Sequence, residues 1–68
     1  DRYEALRAWR KDVARARGVD SDVILPNATL WALAWDPPER EEELLDVPGI
    51  GPWRKKTYGP DLLALLAY

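Results

Sequence analysis

The 68-residue chain contains no Cys, Met, His or Phe. Without Cys there is no disulfide and no thiolate nucleophile. Without His there is no imidazole base, and no zinc site can be built from either residue. Aliphatic hydroxyls are nearly as scarce: Ser21, Thr29 and Thr57 are the only three, and none has a His to activate it. No apolar run approaches the roughly 18 residues of a membrane span, and no secretory leader is visible. Catalysis by the chain itself therefore ranks last. A binding or assembly module is the expected class.

With 47% hydrophobic and 32% charged residues the composition is that of a globular chain rather than a disordered one. Ten Lys and Arg stand against twelve Asp and Glu, for a net charge of −2. A dedicated nucleic-acid-binding domain is usually strongly basic, so any phosphate contact has to come from local segregation of charge. The absence of Cys fits a reducing compartment. The chain opens in helical character and stops on an apolar segment, and is read as one domain, residues 1–68, of a longer protein.

Nothing in the sequence alternates like a strand. Arg2 to Arg17 holds neither Gly nor Pro, and at 100° per residue Tyr3, Leu6, Trp9, Val13 and Ala14 share one stripe. This predicts a first helix, stopped at Gly18, with Arg15 and Arg17 favourably placed against its dipole. Val19 to Pro26 reads as a connector whose apolar triplet Val23-Ile24-Leu25 is too short for a helix and tucks under the first. Asn27 is the expected N-cap of a second helix, Ala28 to Trp35, ended by Asp36-Pro37-Pro38. A third helix is expected from Pro38 to about Asp46, with Leu44, Leu45 and Val47 at its buried end. After Val47-Pro48-Gly49-Ile50-Gly51, a fourth runs from Pro52 to Tyr58. Gly59 closes it, and Pro60 opens a last helix that buries Leu62, Leu63, Leu65 and Leu66.

Four blocks in this order resemble a known family. They are Leu6-x-x-Trp9-Arg10; Val23-Ile24-x-x-Asn27-Ala28-Thr29-Leu30; Glu42-Glu43-Leu44-Leu45-x-Val47-Pro48-Gly49-Ile50-Gly51; and Tyr58-Gly59. The order and spacing resemble the HRDC domain, found near the C-terminus of RecQ-type DNA helicases and of ribonuclease D. The resemblance covers nearly the whole chain. It implies an all-α fold: a compact orthogonal five-helix bundle with a Pro-Gly-Ile-Gly hairpin between helices three and four. It also implies an accessory role without catalysis, in which the module binds single-stranded or branched DNA weakly or regulates an attached helicase through protein contacts. Cytoplasmic, nucleoid-associated location follows from the same resemblance, with no cofactor, no membrane and no small-molecule substrate.

The hairpin is the first candidate site. Gly49 and Gly51 allow close approach of the backbone to a ligand, and the free N–H groups that open the fourth helix suit a phosphate. Arg54, Lys55 and Lys56 follow at once, and Trp53 among them could stack on a base. The alternative is a packing turn in which Ile50 plugs the core and the basic run is solvated. Lys55 stands where the family commonly has Leu, and Glu41 stands where an apolar residue is usual.

The second candidate is a protein-facing surface made of Trp31, Trp35 and the acidic residues Glu39, Glu41, Glu42 and Glu43. With Leu30, Leu33 and Ala34 as the buried face of the second helix, both Trp fall to one side of it. Exposed, they could anchor a partner; otherwise each covers the rim of a small core. Against DNA binding, family members that grip single strands often carry a Tyr in the connector, and here that place holds Asp22, beside Asp20 and Ser21. Arg10, inside the apolar stripe, is expected to run its stem along the core and pair at the edge. Three roles stay open: helicase regulator, protein-interaction module, and RNA-gripping domain of a ribonuclease D-like nuclease.

Overall fold

The first helix of the computed structural model, which describes residues 1–67, is the one the apolar stripe predicts. Helix α1 spans Arg2–Arg17, with the Asp1 carboxylate accepting from the Glu4 amide at its start and Gly18 turning the chain at its end. Leu6 and Ala14 are fully in the core, while Tyr3, Trp9 and Val13 pack against it from the side.

The all-α class holds among the described residues, with five helical elements and no strand. Several boundaries move. The connector does form a helix, the single turn α2, Ser21–Ile24, because Ile24 and the following Leu25 are buried side by side and draw the backbone into a turn. Helix α3 spans Asn27–Trp35 with Pro26 as its cap residue, so Asn27 does not cap it. The third helix is a shorter 3-10 element, η1, Glu41–Asp46. Leu44 is its buried residue; Leu45 points to solvent and is not part of the core.

The largest difference is at Gly59-Pro60. Two helices were expected there, and one continuous helix, α4, spans Pro52–Leu66 with Pro60 inside it. A proline in a helix lacks one N–H and crowds the Cβ of the residue before it. That residue is Gly59, which has no Cβ to crowd, and burial of Tyr58, Leu62 and Leu66 on either side holds the helix together. Leu63 and Leu65 are only partly buried.

Gly59 has a further role. A Cβ built on it would lie 3.1 Å from Leu44 Cδ1, so a side chain here would push η1 off α4. The core thus consists of Leu6 and Ala14 from α1, Ile24 and Leu25, Leu30 and Leu33 from α3, Leu44 and Ile50, and Tyr58, Leu62 and Leu66 from α4.

Candidate nucleic-acid interface

The hairpin between η1 and α4 turns on a Val47–Ile50 hydrogen bond of 3.1 Å. Pro48 occupies the second position of the turn, and Gly49 the third with φ of 90°, the signature of a type II turn. Thr29, buried on α3, donates its hydroxyl to the Pro48 carbonyl at 2.8 Å. A Cβ on Gly49 would collide with that hydroxyl. Ile50 then enters the core, as the packing reading requires, while Gly51 caps α4 with Pro52 in the first position.

Arg54, one turn into α4, reaches back. Its Nη1 donates to the Gly49 carbonyl at 2.8 Å and its Nη2 to the Val23 carbonyl at 3.0 Å. The guanidinium fork is committed to two backbone carbonyls, so Arg54 braces the hairpin against the α2 connector and is not a free phosphate ligand. Lys55 is half-buried and Lys56 exposed. The ion pairs among the described residues are Arg7–Glu4 and Arg40–Glu43, so the charge that follows the hairpin has no carboxylate paired to it.

Trp53 is 59% exposed, Trp31 58% and Trp35 88%, so none of the three is buried in the core. Trp53 meets the buried Tyr58 edge-on, centroids 5.7 Å apart, and Tyr58 in turn meets Trp9 edge-on at 5.5 Å. Arg17 brings a guanidinium to 5.4 Å from the centroids of both Trp53 and Tyr58. An open cleft of about 290 Å³ lies between Arg17, Val19, Val23, Trp53 and Tyr58. Val19 and Val23 are exposed beside it. This gathers a flat aromatic face, two exposed valines and a cation, with the positive run of α4 starting at the same ring. Sequence reasoning assigned Arg17 only to the helix dipole. Nothing in the spacing of residues 17 and 53 signals that they meet.

The second candidate surface lies at the other end of α1. Trp31 stacks on Tyr3 with centroids 4.0 Å apart and planes 17° apart. Arg2 Nε donates to the Ala34 carbonyl at 2.8 Å and clamps the end of α3. Tyr3 and Arg17 are separated by about 21 Å along α1 at 1.5 Å per residue, so the two exposed aromatic patches are distinct.

The acidic run divides by role. Glu43 accepts from the backbone N–H of Glu39 at 2.7 Å and of Arg40 at 3.3 Å. Those two N–H groups, with the Arg40 charge nearby, hold its carboxyl below the usual glutamate range. It is a cap for η1. Glu41 lays its side chain toward Gly59, its Cγ within 3.7 Å of where a Cβ would stand, which explains how an acid occupies this place. Glu39, Glu41 and Glu42 are exposed. Among the described residues no group of three or more acids is placed to hold a metal ion.

The HRDC domain family matches residues 1–66. The chain belongs to the HRDC family. A solved structure titled D. radiodurans RecQ HRDC domain 3 superposes with a TM-score of 0.92 at 39% identity, over 97% of this chain and 87% of that one. Among curated proteins the HRDC chain is 33% identical over 57 residues to the ATP-dependent DNA helicase RecQ of Bacillus subtilis. It is 34% identical over 61 residues to the ATP-dependent DNA helicase UvrD2 of Mycobacterium tuberculosis. It is 36% identical over 63 residues to the ribonuclease D of Zymomonas mobilis. The matched stretches cover 84%, 90% and 91% of this chain but only 10%, 9% and 16% of those proteins. No helix among the described residues is long and apolar enough to cross a membrane.

Proposed function

We propose that this HRDC domain is a non-catalytic accessory module of a RecQ-type DNA helicase that adjusts how the helicase core engages DNA. Its nucleic-acid contact is weak and lies on the hairpin face, with Trp53 as the stacking surface and Lys55 and Lys56 as phosphate partners beside Gly49 and Gly51. Arg17, which flanks the Trp53 ring, belongs to the same face. The observation that carries the reading is the exposure of Trp53 next to cations that form no ion pair among the described residues. Base stacking on an aromatic side chain contributes about 1–3 kcal/mol per base. Each phosphate contact adds a salt-dependent increment. Exposed Asp20 and Asp22 beside Val23 work against phosphate and keep the affinity low.

The test is fluorescence anisotropy of a labelled single-stranded oligonucleotide at several salt concentrations. The chain is expected to bind at low salt with a measurable salt slope. Lys55→Glu with Lys56→Glu should weaken binding and flatten the slope, and Trp53→Ala should weaken it without changing the slope. Unaltered affinity in both variants overturns the site.

A second reading is supported by Trp35 and by charge. Residues 36–46 contain six carboxylates and one arginine, so that stretch is strongly negative while the rest of the chain is net positive. Trp31, Trp35, Glu39 and Glu42 would then face a basic protein surface, such as the core of the parent helicase. A pull-down with Trp31→Ala, Trp35→Ala checks it; full retention of partners excludes that surface. A ribonuclease D-like parent, with RNA in place of DNA, is separated from the helicase by comparing single-stranded DNA and RNA of one sequence in the same titration.

A further inference from the structure

Trp35 ends α3 in an open cleft of about 700 Å³ that Asp1, Tyr3, Glu4 and Trp31 also line. Tyr3 and Trp31 stack on one another, so their shared faces are used up. The ring of Trp35 meets no aromatic or cationic partner among the described residues. The chain turns acidic at the next residue, and Asp36, Glu39, Glu42 and Asp46 are exposed. The cations nearby are engaged: Arg2 donates to the Ala34 carbonyl, and Arg40 pairs with Glu43. An uncovered aromatic ring among carboxylates suits a surface that offers apolar area and positive charge together.

The same molecule carries such a surface at its other end. Val19, Val23 and Trp53 are exposed around the 290 Å³ cleft. Arg17 stands over the Trp53 ring, and Lys55 and Lys56 follow it on α4. Asp20 and Asp22 on the connector are the opposing charges there. Outside residues 36–46 the chain holds nine cations against six carboxylates. The two faces lie about 21 Å apart along α1, in a molecule whose longest dimension is 29 Å, so one chain can present both at once. Pressing two acidic faces together would be repulsive. Opposite faces attract, which selects a head-to-tail contact over a two-fold one.

We propose that a second copy of this chain is the partner of the Trp35 face: Trp35 of one copy docks against Arg17, Val23 and Trp53 of the next, with the acidic run beside Lys56. The inference rests on the second reading above in taking Trp31 and Trp35 as protein-facing, and replaces the helicase core with another copy of the domain. One tryptophan and a charged rim make a contact below the standard interface size, so association is weak and salt-sensitive. Each contact leaves one face of either kind free, so copies add in a row.

The experiment is sedimentation velocity of the chain over a concentration series at low and at high salt. The average sedimentation coefficient is expected to rise with concentration at low salt and to stay flat at high salt. Trp35→Ala, and separately Arg17→Glu with Lys56→Glu, should each weaken association about tenfold or more with unchanged circular dichroism, since all three side chains are exposed. Each variant keeps one working face, so an equimolar mixture of the two should form dimers and nothing larger. A parent chain that stays monomeric at millimolar concentration overturns the proposal. Association that survives Trp35→Ala, or a mixture that recovers no dimer, overturns it as well. If the parent is monomeric while Trp31→Ala, Trp35→Ala loses partners in the pull-down, this proposal falls and the second reading stands. The Trp35→Ala variant retains the hairpin face, so its oligonucleotide titration tests the nucleic-acid reading separately.

Discussion

The Thr29 hydroxyl and the Pro48 carbonyl, 2.8 Å apart and 19 residues apart in sequence, tie helix α3 to the hairpin that opens α4. Gly49 sits directly on this contact with φ of 90°. Hairpin shape and core packing are therefore one feature: the turn that would present backbone to a ligand is held by a buried side chain from another helix.

Gly49→Ala is expected to destabilise the chain by about 2–4 kcal/mol, because it combines a left-handed backbone with a Cβ driven into the Thr29 side chain. Thr29→Val keeps the volume but strips the Pro48 carbonyl of its donor, and should cost about 1–3 kcal/mol. Urea unfolding followed by circular dichroism measures both. An Ala variant as stable as the parent would mean that the turn is free to rearrange.

Arg54 bridges Gly49 and Val23 with two hydrogen bonds. Arg54→Lys keeps the charge, yet one ammonium cannot reproduce the planar fork. Lys at this position is expected to be less stable by about 1–2 kcal/mol, with faster amide exchange in the connector. Retained stability in Arg54→Lys, with loss only of nucleic-acid affinity, would instead make Arg54 a ligand-binding residue.

The Gly59-Pro60 pair inside α4 yields opposite expectations for its two members. Pro60→Ala restores a donor to the helix and should stabilise by about 1–3 kcal/mol. Gly59→Ala gains helix propensity of about 1 kcal/mol, but it forces a methyl to 3.1 Å from the buried Leu44 and against Pro60. A net loss is expected. Thermal melting of the two single variants decides it, and stabilisation by Gly59→Ala would show that η1 can give way.

Glu43 titrates below its ordinary range because its carboxylate accepts the amides of Glu39 and Arg40. Its folded-state value is lower than its unfolded one, so its contribution to stability is present above the unfolded glutamate pKa. It is lost as the pH falls through the folded value. In melts at pH 7 and at progressively lower pH, the parent should lose more stability than Glu43→Gln. Equal losses would show that the cap does not form in solution.

The sequence by itself determined α1 and its end, the class of the fold, the turn at Pro48-Gly49 and the family. Each is written in neighbouring residues: an uninterrupted run with one apolar stripe, a Gly at its stop, a Pro-Gly pair in a turn. Helix boundaries that depend on distant partners were not legible. Gly59-Pro60 reads locally as a break, yet Leu44 and the leucines of α4 draw the chain straight through it. The triplet at residues 23–25 reads as too short for a helix, and burial of Ile24 and Leu25 made one turn of it. The same limit applies to the candidate sites. Trp53 and its basic run were visible as a list, whereas the tertiary structure assigned Arg54 to a brace, brought Arg17 to the ring from 36 residues away and left the buried Nε of Arg10 without an acceptor. Such roles depend on which polar groups meet after the core closes, and the core is a property of the whole chain.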